Sequence, residues 1–513
     1  MKRALLVLVI GCAPAPAPHH VPAWVSDTRP YGASGATTAS SPVPAAGAST
    51  TPSALPAAAS RPAPPTSGSL AERYREPVAK IVDTAHADRG AFKKLAYLTD
   101  HIGNRLAGSP QLDRAIAWAA RTMKDDGLAV RTEKVMVPHW VRGAEGGELL
   151  TPVARPLHVL GLGGTVGTPK GGVTGPVVVV HSWEELDARR DAVKGAIVLY
   201  DVAMPAWTEE KGSGYGETVR FRGGGASRAA KLGAVAVLVR SVTARSLSTL
   251  HTGALNYDKD VARIPALAVT VEDSALIARL AAEGPVTARL HSEAQTLPDV
   301  ESANVIGELR GRDKPDEVVV IGGHIDSWDV GQGAHDDGAG AVTMMHALAT
   351  IKKLGLRPRR TIRVVLFTNE ENGLRGGRAY AETHAAELPR TVLAVESDSG
   401  GFAPRGFSVQ ARPEEVQDRM KARVTDFIAL LAPISATRVT TGHGGADIGP
   451  MAASGVPLIG LDTDGRTYFD YHHTDADTLD KVDPAALADD VAAVAALAYV
   501  VADMPERLDA PAP

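Results

Sequence analysis

Cysteine is all but missing from this 513-residue chain: the one present, Cys12, closes a short apolar run at the N-terminus. Intrachain disulfides and cysteine-ligated metal are thereby excluded from the folded part. Aromatic residues are scarce, at 4%. No stretch of 18 or more apolar residues follows the N-terminus, so no internal transmembrane helix is expected. Positive charge is not in surplus either: 54 Lys and Arg against 59 Asp and Glu leave a net charge of -5, which gives no support to a nucleic-acid partner. What remains is 44% hydrophobic and 22% charged, an ordinary globular balance in a length that suits two or three domains.

Met1-Lys2-Arg3, the apolar run Ala4 to Ile10 and Val9-Ile10-Gly11-Cys12 read as a bacterial lipoprotein-type signal peptide over residues 1–12, with Cys12 carrying the lipid. An ordinary secretory signal cut among the Ala-Pro repeats is the alternative. Either reading exports the protein, lipid-anchored in the periplasm or cell envelope, or secreted. Its only membrane contact is then the N-terminal lipid. Residues 13–68 hold 45 Ala, Pro, Ser, Thr or Gly among 56, with three charged side chains. Such a segment cannot bury enough apolar surface to offset its conformational entropy, and is expected to be a disordered tether.

Folded sequence is expected from Ser69. Residues 69–139 read as helices (70–88, 91–98 and 112–125) followed by a strand over 130–137. Residues 140–295 change to short β-branched strands separated by glycines, including 177–180, 197–200, 235–239 and 266–270, with a helix over 226–232. The glycine-dense run 161–172 lacks the strand-then-helix setting of a phosphate loop, and reads as hairpin turns. From 296 to 508, short apolar strands at 318–322, 362–367, 392–395 and 457–461 alternate with helices at 339–354, 376–386, 413–431 and 484–502. That alternation predicts an α/β sheet covered on both faces.

His324, Asp336, Glu370, Glu371, Asp398 and His473 form an ordered set: H-x-D, an Asp twelve residues beyond His324, a Glu pair, an Asp and a late His. Two imidazoles with several carboxylates, one able to bridge, are what a pair of zinc ions needs, with one glutamate left over as a base. Three of the four strands end directly before these residues, where loops of a parallel sheet converge on one crevice. Taken singly, each acid reads as a turn former or cap and each histidine as a surface or packed residue. Their order and shared position carry the metal reading.

Gly323-His324-Ile325-Asp326-Ser327-Trp328-Asp329-Val330-Gly331-Gln332-Gly333-Ala334, Asp336-Asp337-Gly338, Phe367-Thr368-Asn369-Glu370-Glu371, Glu396-Ser397-Asp398 and His472-His473-Thr474 resemble the signature of the co-catalytic zinc exopeptidases. Within them the chain is similar to the carboxypeptidase Q (plasma glutamate carboxypeptidase) branch over residues 70–508. The resemblance implies a zinc-exopeptidase α/β/α sandwich with a mixed, mostly parallel sheet. It also implies an inserted β-rich protease-associated domain, whose pattern Val193-Lys194-Gly195-Ala196-Ile197-Val198 and Lys231-Leu232-Gly233-Ala234 resemble. By resemblance two zinc ions are bound: Asp336 bridges them, His324 and Asp398 complete one, Glu371 and His473 the other. Glu370 is then the general base and His472 stabilises the oxyanion. Asp326 orients His324 from behind, His443 lines the substrate pocket, and the Asp336–Asp337 peptide is cis. Small unblocked peptides are the expected substrates. Relatives also make a homodimer an expectation, though no residue here indicates one.

Asn369 departs from the pattern, standing where a small residue is frequent. The other large dinuclear exopeptidase family needs a lid domain between the Asp and the last His, and only 74 residues lie between Asp398 and His473. An inactive scaffold lipoprotein of the same fold is the alternative from outside enzymology, and would be expected to lack a ligand. The substrate end stays open: Asp329 could meet a free amino terminus, whereas Arg375, Arg378 or Arg466 could meet a carboxylate.

Overall fold

The computed structural model describes residues 69–511; the signal and tether expected over 1–68 lie outside the described residues. Two of the helices that cover the central sheet begin at serine caps. Ser69 Oγ accepts from the Glu72 amide ahead of helix Leu70–Ala87, and Ser109 Oγ accepts from the Leu112 amide ahead of helix Pro110–Asp125.

The central sheet has eight strands: β1 (Ala129–Val141), β2 (Gln295–Leu309), β3 (Lys314–His324), β4 (Arg360–Phe367), β5 (Thr391–Glu396), β6 (Pro404–Gln410), β7 (Arg438–Thr441) and β8 (Leu458–Thr463). Their order is β1-β2-β4-β3-β5-β8-β6-β7. The pairs β4/β3, β3/β5, β5/β8 and β6/β7 are parallel, and the other three neighbouring pairs are antiparallel. Every residue of β4 and β5 is buried, the polar Arg360, Arg363 and Glu396 among them. Helices 70–87, 90–97, 110–125, 340–353, 414–428 and 484–503 pack one face, while Tyr380 of helix Arg375–Thr383 packs the other. Helix Pro484–Asp503 is long and apolar enough to cross a membrane by length and composition, but it is the buried centre of this core.

A second eight-stranded sheet is built wholly from residues 145–292. The chain leaves the central sheet along β1 and re-enters along β2, with Val141 opposite Gln295. The run 161–172 is not a hairpin. Strand Val159–Gly161 pairs with Ala266–Val269 instead of the following strand Val173–Val180, and Gly163 lies flat on the Trp328 ring, where a Cβ would come within 1.9 Å. Sequence reading foresaw only the end of helix Tyr215–Lys231.

Arg105, in the loop ahead of helix 110–125, is fully buried and steers the segment that follows β3. It donates from Nε to the Ile325 carbonyl at 2.6 Å, from Nη1 to Gln332 at 2.8 Å and from Nη2 to Gly333 at 2.9 Å. Arg105→Met should leave the buried Ile325 and Gly333 carbonyls and the half-buried Gln332 carbonyl without this donor, with a loss of about 3 kcal/mol or more in urea denaturation. A change below about 0.5 kcal/mol would contradict this role.

Candidate metal centre

Strands β3, β4 and β5 end side by side, each delivering part of the set. His324 is the last residue of β3, Glu370 and Glu371 follow β4, and Asp398 stands two residues beyond β5. Between β4 and the glutamates the chain reverses through Asn369 at φ 64°, in the left-handed region that asparagine tolerates better than most residues. That is a physical reason for the residue that departed from the pattern. Asp336 arrives from the loop after β3, and His472 and His473 follow the short helix Tyr468–Tyr471.

Asp336 is the hub. Its Oδ1 lies 3.3 Å from His324 Nε2, which is itself 3.5 Å from Asp398 Oδ1. Its Oδ2 lies 3.2 Å from His473 Nε2, which is 3.1 Å from Glu371 Oε2. His472 stacks on His473 with ring centroids 3.5 Å apart, and its Nε2 is 3.6 Å from the same Asp336 oxygen. Donor atoms of His324, Asp336 and Asp398, and those of Asp336, His472 and His473, converge within 4.8 Å. The Asp336–Asp337 peptide is cis.

Both outer histidines are held in the ligating tautomer. His324 Nδ1 donates to the Asp326 carbonyl at 3.1 Å, and His473 Nδ1 donates to the Thr252 carbonyl at 3.2 Å, so each Nε2 faces the acids. His324 Nε2 and Asp336 Oδ2 are buried without a hydrogen-bond partner, and orphaned ligand atoms converging in this way fit a divalent cation. A cleft of about 490 Å³ opens onto the cluster, with Glu370, His472 and Arg378 on one side and Gly163, Tyr215, Arg222 and Asn256 of the 145–292 segment on the other.

Several expectations change in detail. The Asp326 carboxylate does not grip His324, from which it is 3.7 Å away; it accepts the Glu370 amide at 3.0 Å and so fixes the glutamate turn, while its main-chain carbonyl orients the imidazole. Exposed His443 lies in an adjoining pocket that shares Asp398 with the cleft. Arg375 is paired with Asp299, Arg466 with Asp464, and Asp329 with Arg142. Sequence reading missed Asp477, which accepts the amides of His335 at 2.7 Å and Asp336 at 3.2 Å, and Asp337, which accepts the His324 amide at 3.0 Å. The Asp336-Asp337 pair was visible, but nothing in it says that Asp337 holds main chain beside Asp336.

Burial opposes charge on both outer histidines, yet the facing carboxylates prevail. Asp336 and Asp398 hold His324 well above the usual imidazole range, and Glu371 and Asp336 raise His473 to about 10. Asp336 stays well below the usual carboxylate range despite burial because His324 and His473 face it. Burial, then Asp398, pushes Glu370 well above its ordinary value; burial, then Asp336, takes Glu371 to about 7.

A carboxylate set between two imidazoles, beside the ends of three adjoining strands, fits a metal-dependent hydrolase. Residues 304–498 match the profile of peptidase family M28. Carboxypeptidase Q of Xenopus laevis is 42% identical over 440 residues, spanning 85% of this chain and 91% of the relative. The crystal structure of an M28 peptidase precursor from Shewanella amazonensis superposes with a TM-score of 0.81 at 36% identity, over 86% of this chain and 99% of that one. A zinc aminopeptidase from Bacillus subtilis shares the fold, with a TM-score of 0.59 at 21% identity over 81% and 95% of the two chains. The chain belongs to peptidase family M28, and is a peptide hydrolase of the metallo-exopeptidase type.

Imidazoles whose pKa is raised carry a proton at neutral pH that a metal must displace, so affinity should fall as pH falls. Chelator competition at pH 6, 7 and 8 is expected to show zinc binding weakening by about tenfold per pH unit for each proton displaced. Affinity independent of pH over that range would contradict the charge balance described.

Proposed function

We propose that the protein is a zinc exopeptidase acting on small peptides with a free C-terminus, dipeptides included, and using two zinc ions that share Asp336. The carrying observation is the division of Asp336: one oxygen turned to His324 and Asp398, the other to His473 and Glu371. On this reading those two pairs complete the two ions. The relatives' names, a carboxypeptidase and a zinc aminopeptidase, support the metal and the exopeptidase chemistry.

Bound zinc would polarise the scissile carbonyl and bring the pKa of the attacking water toward about 7. Glu370, on the cleft wall, accepts that water's proton and returns it to the leaving amine. His472 is kept neutral, its pKa pushed well below the imidazole range by burial and then by His473, and donates to the oxyanion as it forms.

Arg222 supports recognition of a carboxylate. It lines the cleft, is only 6% exposed, and its Nε has no partner. Its other nitrogens donate to two neutral groups, the Thr252 carbonyl at 3.2 Å and the Tyr215 hydroxyl at 2.7 Å. A buried guanidinium without an acid beside it suits a substrate's terminal carboxylate. Asp329, the residue considered for a free amine, is engaged by Arg142 at 2.5 Å.

The remaining parts follow as proposals. Residues 140–295 are read as a protease-associated insert, and residues 1–68 as an exported lipoprotein's signal and tether.

Glu370→Gln is expected to retain its zinc by elemental analysis and lose about 10²-fold or more in kcat; near-normal turnover would remove Glu370 as the base. A free dipeptide, its N-acetyl form and its C-amide should separate by end, with amidation abolishing cleavage. Arg222→Gln is expected to raise KM for the free peptide about tenfold or more, and an unchanged KM would remove Arg222 as the group that meets the carboxylate. Cleavage abolished by acetylation alone would make the enzyme an aminopeptidase. No cleavage of any form would favour the inactive scaffold.

A further inference from the structure

His472 and His473 follow the central sheet's last strand, yet their hydrogen bonds run into the inserted segment. His251 Nδ1 donates to the His472 carbonyl at 2.9 Å, and the Thr252 amide donates to the His473 carbonyl at 3.1 Å. In return His473 Nδ1 donates to the Thr252 carbonyl at 3.2 Å. These bonds bracket His473 at φ 63°, a left-handed conformation that a side-chain-bearing residue keeps only where its surroundings impose it.

The segment that imposes it is itself fixed. The Thr249 hydroxyl donates to His251 Nε2 at 3.0 Å, which leaves Nδ1 as the donor. The His251 amide donates to Ser241 Oγ at 3.1 Å, and Thr252 Oγ1 donates to the Gly161 carbonyl at 2.8 Å. Arg142 donates to the same Gly161 carbonyl and reaches Thr252 Oγ1 at 3.4 Å while gripping both oxygens of Asp329, four residues past Ile325. His324 has no such dependence, since its Nδ1 is held by Asp326 within the loop after β3.

We propose that residues 249–252 of the insert are a clamp that sets the tautomer and direction of His473, with His251 as its positioning residue. The ion on the Glu371–His473 side of Asp336 is then held tightly only while the insert is docked, and the ion on the His324 side is indifferent to it. This rests on the two-ion reading above. It makes the insert a part of the metal centre as well as a wall of the substrate cleft.

The test is zinc affinity by competition with a chromophoric chelator, together with amide hydrogen exchange over residues 468–476, in the full-length protein, His251→Ala and His251→Asn. The wild type should hold two ions. His251→Ala should weaken one by about 10–100-fold, leave the other within about twofold, and speed exchange over 468–476. His251→Asn, whose amide can donate from the Nδ1 position, should recover most of the lost affinity. Should His251→Ala fail to fold, Thr249→Val removes only the hydroxyl that fixes the tautomer and should weaken the same ion. Two ions weakened alike, or neither, would overturn the clamp and leave the two-ion reading standing. A wild type holding one ion would overturn that reading and the clamp with it.

Discussion

A carboxylate buried between two imidazoles organises this molecule. Asp336 is 5% exposed and meets His324 on one oxygen and His473 on the other, with Asp398 and Glu371 completing the two sides. So many buried acids around two histidines are costly unless further positive charge is bound. The arrangement therefore suits bound positive charge, and the fold assembles it from the ends of β3, β4 and β5, the loop after β3 and the segment after helix Tyr468–Tyr471. Main chain does much of the holding: Asp326, Asp337 and Asp477 spend their oxygens on amides of the glutamate turn, of His324, and of His335 and Asp336.

The two sheets meet at that centre. Gly163 of the insert lies against Trp328, whose amide donates to Glu371 Oε1 at 3.2 Å, and Arg142 ties Asp329 to the strand end at Gly161. The cleft is walled by both parts, and residues 251 and 252 of the insert bond to His472 and His473. Arg222, proposed above to meet a substrate carboxylate, belongs to the insert.

That His324, Asp336, Glu371, Asp398 and His473 would cluster was legible in the sequence, because a metal centre calls for such residue types and because short buried strands mark where a parallel sheet brings loops together. Most of the central α/β sheet was legible for the same reason, although β2, β6 and β7, which are partly polar, were not foreseen. Helix Tyr215–Lys231 was recognised only at its end because Gly223, Gly224 and Gly225 oppose helix formation; Gly225 is there because a Cβ would come within 2.7 Å of the Tyr200 ring. Arg222 and His251 left no signal at all. Their roles depend on how the insert folds back onto a loop more than 200 residues further along the chain, a relation that local pattern does not carry.

Anomalous scattering at the zinc edge from crystals of the zinc-loaded protein tests the central claim most directly. Two peaks, one between Asp336, His324 and Asp398 and one between Asp336, His473 and Glu371, are the expected result. A single peak, or a second one bound through His472 with Glu371 turned away, would contradict the account of Asp336 as a shared ligand.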